Sequence, residues 1–107
     1  MTDPSGYTPR VAIITGSARG LGFSIASKLA DDGVDIVIND LASEIDKING
    51  AVEEIKKKGR RAIGVPADVT NEEDVKALVE KAVEALGSVD IVSGIALSLA
   101  ANIYNPL

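Results

Sequence analysis

The stretch Val11-Ala12-Ile13-Ile14-Thr15-Gly16-Ser17-Ala18-Arg19-Gly20-Leu21-Gly22 decides the fold. Its first four residues are apolar and mostly branched, a pattern that predicts a strand buried on both faces. Thr15-Gly16 closes the strand, and the glycines at 16, 20 and 22 lead into a helical pattern. Gly16 permits a sharp strand-to-helix turn, Gly20 lets backbone approach an anionic ligand without a Cβ in the way, and Gly22 allows close packing of helix on strand. The first amides of a helix have no intrahelical acceptor, so they face the space a pyrophosphate would take. Read alone, the segment also fits an ordinary tight turn, and its weight comes from what surrounds it.

Working outward, Leu21, Ile25 and Leu29, flanked by Ala26 and Ala30, recur at helical spacing, with Gly33 where a left-handed stop is needed. Ile36-Val37-Ile38 predicts a second buried strand, closed by Asn39-Asp40. Ser43 and Asp46 have capping-box spacing ahead of a second helix with Ile45, Ile48, Val52 and Ile55 as its stripe. Lys56-Lys57-Lys58 and Gly59 close it, placing cations at the negative end of the helix dipole. Ala62 to Val65 predicts a third strand. Thr70 with Glu73 predicts the capping box of a third helix carrying Val75, Leu78, Val79, Ala82, Val83 and Leu86, stopped by Gly87. Val89-Asp90-Ile91-Val92 starts a fourth strand.

The strands begin near positions 11, 35, 62 and 89, steps of 24, 27 and 27 residues that approach a strand-helix-strand unit. Such alternation predicts an α/β fold: a partial doubly wound (Rossmann) parallel sheet of four strands in order 3-2-1-4 with three helices, two on one face and one on the other. The expected organisation is a polar leader at 1–9, a partial dinucleotide-binding domain at 10–92 and an apolar tail at 93–107. One helix is a thin cover for the second face of four strands, so marginal stability is expected.

Asp40 stands 18 residues past Gly22, near the offset of roughly 20 expected for a ribose-binding acid. Its carboxylate suits a ribose 2'-hydroxyl and repels a 2'-phosphate, so it favours NAD over NADP, whereas Arg19 would favour the phosphate. Asp40 also has a plain reading as a solvated turn residue.

The composition bounds the rest. With 107 residues, 46% of them hydrophobic, the chain holds one domain. It has no Cys and no His, which removes disulfide frameworks, zinc fingers, thiol nucleophiles and imidazole bases. A net charge of -5 argues against nucleic acid as a partner. The first ten residues lack the basic start and apolar core of a secretory signal, and no apolar run of about 18 residues exists, so no membrane partner and a cytoplasmic location are expected.

The Gly-x-x-x-Gly-x-Gly spacing of Gly16, Gly20 and Gly22, together with Asp68-Val69 after the third strand, is similar to the signature of the short-chain dehydrogenase/reductase family. The chain resembles the N-terminal part of that family from about Val11 to Val92. The resemblance implies an NAD(P)-dependent oxidoreductase that moves hydride between nicotinamide and an alcohol or carbonyl. It implies cofactor contacts at Gly16, Ser17, Arg19, Gly20, Leu21, Gly22, Asp40, Asp68 and Val69, with Asp68 meeting the adenine ring. NAD is the expected cofactor and NADP the less favoured one. A small alcohol or carbonyl substrate is implied only for a full-length form. Without the resemblance, Asp68 is as readily a solvated residue ahead of a helix cap.

The family's reaction uses a Tyr with a Lys four residues later and a substrate-orienting Ser. Here Tyr7 has Val11 four residues on, Tyr104 has three residues after it, and the last Lys is Lys81. Ser93 and Ser98 lie in or just after the fourth strand, so no residue is assigned a catalytic role. Where the family continues into Asn-Asn-Ala-Gly, this chain reads Ser93-Gly94-Ile95-Ala96. Residues 91–107 carry no charge and 11 of these 17 are apolar. They read as a truncation product first, and otherwise as a docking or membrane-surface segment. A fragment inactive by itself is expected, with two alternatives. One is a non-catalytic nucleotide-binding or self-associating module using the strand-four edge and the tail. The other is an unrelated parallel-sheet domain, flavodoxin-like or phosphoacceptor, which the glycine loop disfavours.

Overall fold

Branched apolar runs separated by amphipathic segments assemble into a parallel sheet with three helices in the computed structural model, which describes residues 10–93. Strand β1 (Val11–Ile14) leads to α1 (Gly20–Asp31) and β2 (Asp35–Asp40). A 3-10 turn at Ala42–Glu44 precedes α2 (Ile45–Lys57), followed by β3 (Ala62–Pro66), α3 (Glu72–Leu86) and β4 (Ile91–Ser93). Backbone hydrogen bonds order the strands β3-β2-β1-β4. Strands β1 to β3 make the long ladder: Val11 pairs with Asp35 and Ile14 with Ile38, while Ile36 pairs with Ala62 and Asp40 with Pro66. Strand β4 adds three residues beside β1. It starts at Ile91, later than Val89, because Asp90 makes a clasp ahead of the ladder. The Asp90 N–H donates to the Val11 carbonyl at 2.9 Å, and its Oδ2 accepts from the Val11 N–H at 2.9 Å. The leader at 1–9 and residues 94–107, with Ser98 and Tyr104, lie outside the described residues, as do the readings made of that tail.

Side chains alternate across a pleated strand, so each strand feeds both layers. Ala12, Ile14, Ile36 and Ile38 pack with Ala26 and Ala30 of α1 and with Ile48, Ala51, Val52 and Ile55 of α2. Val11, Ile13, Val37 and Val65 pack with Val75, Leu78, Val79, Ala82 and Leu86 of α3. The expected thin cover of this second face is corrected over β1 and β2, where Val11, Ile13 and Val37 are all 0% exposed. Ala67, Val69 and Val89, in the connections around α3, widen the layer that the helix makes. Fully burying one such branched side chain is worth about 1.5–3 kcal/mol. Among the described residues, no helix is long and apolar enough to cross a membrane.

Helix α1 departs from its expected stripe. Leu21 is 77% exposed and Ile25 41%, while Ala26 and Ala30 are buried. The cause is a line of small residues, Gly22, Ala26 and Ala30, at i, i+4 and i+8. This line brings the helix backbone close to the sheet and turns Leu21 and Ile25, one residue earlier in phase, about 100° away.

Two caps also differ. Ser43 makes no capping bond; the 3-10 turn takes its place and leads into α2, whose first residue, Ile45, is exposed. In α3 the cap is Asn71, one residue after Thr70, with its Oδ1 accepting from the Asp74 N–H at 3.1 Å. Gly87 ends α3 as expected, at φ +95, its N–H donating to the Val83 carbonyl. Gly50 lies exposed inside α2, and a Cβ built there meets nothing within 4 Å. Gly50→Ala is therefore expected to stabilise the chain by about 1 kcal/mol, read as a higher urea midpoint at unchanged slope; a lower midpoint would contradict this account of α2.

Candidate functional site

Parallel strands put all their carboxyl ends at one sheet edge, and ligands of open α/β sheets bind outside that edge. Here it gathers the turn from Thr15 to Arg19, Asp40 and the segment after β3. Gly16 (φ +64) and Gly20 (φ +61) adopt the left-handed conformation, and a Cβ at either would meet nothing within 4 Å. Backbone is thus presented to open space by residues that reach this geometry without strain. Gly22 works differently: a Cβ there would stand 2.3 Å from the Gly16 carbonyl oxygen, so its lack of a side chain is what seats α1 on the turn.

The N-terminus of α1 is left open by its own side chains. Its N-cap, Arg19, makes no side-chain capping bond, and its first turn contains no acid. The first ladder bond runs from the Phe23 N–H to the Arg19 carbonyl, so the amides of Gly20, Leu21 and Gly22 precede it. Helix α3 shows the contrast, with Asn71 capping it and Glu72, Glu73 and Asp74 in its first turn. An anion is drawn to the first terminus and repelled from the second.

The turn is braced from below. The Ser17 N–H donates to the Asn39 carbonyl at 2.8 Å, and the Asn39 N–H donates to Ser17 Oγ at 3.1 Å. Asn39 Nδ2 in turn donates to the carbonyls of Val65 at 3.0 Å and Ala67 at 3.4 Å. Ser17 is 0% exposed, and its hydroxyl is turned to the Asn39 backbone, where it braces the loop. In the sequence Asn39 reads as a strand end. Its signal in the sequence is a polar amide inside a strand otherwise buried and apolar, directly before Asp40, where unsatisfied burial would be costly.

Asp40, half-buried, accepts from the Leu41 N–H on Oδ1 at 3.0 Å, and its other oxygen has no partner among the described residues. Its carbonyl accepts from the Ala67 N–H at 3.0 Å, fixing the end of β2 to the segment after β3. Arg19 is exposed and pairs with Glu44 at 3.7 Å. Leu21 is exposed beside the amides. Asp68 is exposed; its Oδ1 accepts from the Thr70 hydroxyl at 2.6 Å and the Thr70 N–H at 2.9 Å, and those bonds, the hydroxyl's first, hold its carboxyl below the usual carboxylate range. Val69 packs half-buried on the α3 layer. Open glycine backbone, vacant helix amides and an acceptor oxygen on Asp40 fit a nucleotide carrying a pyrophosphate and a ribose.

A model of the short chain dehydrogenase family matches residues 10–98. A short-chain dehydrogenase/reductase of Hericium erinaceus, eriH, is 46% identical over 83 residues, covering 76% of this chain and 33% of that protein. A short-chain dehydrogenase/reductase from Burkholderia phymatum, solved in complex with NAD, superposes with a TM-score of 0.79 at 25% identity, covering 94% of this chain and 44% of that one. L-sorbose reductase from Gluconobacter frateurii, solved with NADPH and L-sorbose, gives 0.73 at 36% identity, covering 79% and 32%. The chain spans about a third of the length of the curated relatives it matches.

Proposed function

The chain belongs to the short-chain dehydrogenase family, and on that premise we propose that it is the dinucleotide-binding part of an NAD(P)-dependent oxidoreductase, with NAD preferred to NADP. The observation that carries this reading is the pairing of a vacant helix terminus behind Gly16 and Gly20 with the acceptor oxygen of Asp40 on the same sheet edge. Relatives of this fold solved with NAD and with NADPH support a nicotinamide dinucleotide and leave the choice between the two to the residues of this chain.

The amides of Gly20, Leu21 and Gly22 take the pyrophosphate. Asp40 accepts from a ribose 2'-hydroxyl and opposes a phosphate there. Asp68 is assigned to the adenine edge, and Ser17 and Asn39 hold the loop in register. A bound nicotinamide dinucleotide supplies hydride transfer to or from an alcohol or carbonyl carbon. None of the 107 residues forms a Tyr with a Lys four positions on, so no residue here moves the accompanying proton, and the pure chain is expected to give no turnover.

A thermal-shift titration of the 107-residue chain tests the reading, because a ligand that binds only the folded state raises its Tm. NADH is expected to raise it more than NADPH. Gly20→Asp, which puts a carboxylate where the pyrophosphate lies and a Cβ on a left-handed residue, is expected to weaken binding by about a hundredfold or more. Indifference of the wild-type Tm to both dinucleotides sinks the proposal.

A second reading rests on a different surface. Leu21 and Ile25 expose apolar area on α1, and β4 is one of the two edge strands among the described residues. Self-association through the β4 edge or the exposed face of α1 is a non-catalytic role compatible with nucleotide binding. A monomer by light scattering at high concentration would remove it.

A further inference from the structure

Glu44 ends the 3-10 turn that follows Asp40 and Leu41. Its carboxylate is shared by two cations, with Oε1 3.7 Å from Arg19 Nη2 and Oε2 3.2 Å from Lys47 Nζ. Arg19 and Lys47 also line one cavity of about 370 Å³ between α1 and α2. Glu54, on the same cavity, pairs with Lys57 at 3.3 Å, which leaves Glu44 as the carboxylate that holds these two cations. We infer that Glu44 is a specificity-determining residue: it occupies Arg19 and Lys47 from the 3-10 turn that follows β2 and withholds their charge from a ribose 2'-phosphate. The inference rests on the dinucleotide reading above and deepens it.

The physical argument separates two carboxylates. Asp40 acts by contact, offering an acceptor to a hydroxyl and none to a phosphate. Glu44 acts through its partners. The side chains of Arg19 and Lys47 are 64% and 53% exposed, whereas that of Glu44 is 23% exposed, so the anion is the fixed member and the cations are the movable ones. Without the Glu44 charge, a long guanidinium and a long ammonium at the mouth of one cavity are free to meet another anion. A phosphate monoester carries about 1.5 to 2 negative charges at neutral pH, so it gains twice, from cations released and from a repelling carboxylate removed. Both effects act across solvent, so the gain is modest, about tenfold in affinity.

The test measures Kd for NADH and NADPH on the 107-residue chain and on Glu44→Gln, which keeps the shape and loses the charge. The expected result is a Kd for NADPH about tenfold lower with that for NADH within twofold, the gain shrinking as salt rises. Adding Arg19→Gln to Glu44→Gln is expected to reverse most of the gain. Glu84→Gln, on exposed α3 surface, removes the same formal charge elsewhere and is expected to leave both constants unchanged. Unchanged NADPH affinity in Glu44→Gln, with NADH still binding, overturns the role of Glu44 and leaves the dinucleotide reading standing. An equal gain in Glu84→Gln also overturns it, since net charge would then explain the effect. Failure of the wild-type chain to bind either dinucleotide overturns both.

Discussion

Gly22→Ala is expected to cost about 3 kcal/mol of stability, the upper end of overpacking penalties, and to remove dinucleotide binding. The added Cβ would lie 2.3 Å from the Gly16 carbonyl oxygen, 2.9 Å from its carbon and 3.0 Å from Ser17 Cα. All three are backbone atoms, so no rotamer change relieves the clash and α1 itself must move. Its displacement carries Ala26 and Ala30 out of the layer they share with Ile14 and Ile36, and carries the Gly20, Leu21 and Gly22 amides away from the turn. Against a typical total of 5–15 kcal/mol, such a loss is large. Gly16→Ala makes the comparison sharp, because a Cβ there meets nothing and the cost is the left-handed φ alone, about 1–2 kcal/mol. Urea unfolding of the two variants should rank them in that order. A Gly22→Ala chain as stable as wild type and still able to bind would refute this role for the contact.

Arg61→Ala is expected to destabilise by a similar amount, about 3 kcal/mol, through a mechanism remote from the site. Asp35, at the start of β2, is 1% exposed. Its Oδ1 accepts from the Arg61 N–H at 3.1 Å, and its Oδ2 meets Arg61 Nε at 2.9 Å and Nη2 at 2.8 Å. The same guanidinium donates to the Leu86 carbonyl at 3.1 Å, so one arginine joins β2, the approach to β3 and the end of α3. Truncating Arg61 strands a buried carboxylate whose remaining cation, Arg60, is 3.9 Å away. The reverse change, Asp35→Asn, leaves Arg61 half exposed and able to reach water, so a smaller loss, about 2 kcal/mol, is expected there. A double-mutant cycle by urea unfolding checks this: the pair Asp35→Asn with Arg61→Ala should cost clearly less than the sum. Additivity would show that the ion pair contributes nothing of its own.

How much of this was legible beforehand follows from the range of each interaction. The strand-helix alternation, the glycine turn and Asp40 at the end of β2 are local patterns, and a period of two or of 3.6 in apolar residues names its element without reference to the rest of the chain. The roles of Gly16 and Gly22 followed from spacing, because a turn and a close approach are both written into where Cβ atoms are missing. The caps of α2 and α3 lie a residue or more from where the spacing puts them, and at α3 the reason is that Thr70 and Asn71, side by side, compete for the same amides. Three-dimensional geometry chose Asn71 for α3 and a 3-10 turn for α2.

What the sequence determined by itself is the class of fold, the glycine turn after β1 and the place of Asp40 at the end of β2, since each rests on residues close together along the chain. What the tertiary structure alone decided is how those pieces are held. Ser17 is bonded to a residue 22 positions away, and Asn39 to carbonyls 26 and 28 positions away. Leu21 and Ile25 face outward because small residues, not large ones, seat α1 on the sheet. Glu44 meets Arg19 from another connection. These pairings join segments that have no common period, so only the packing of the parallel sheet brings them within hydrogen-bonding or ion-pairing distance.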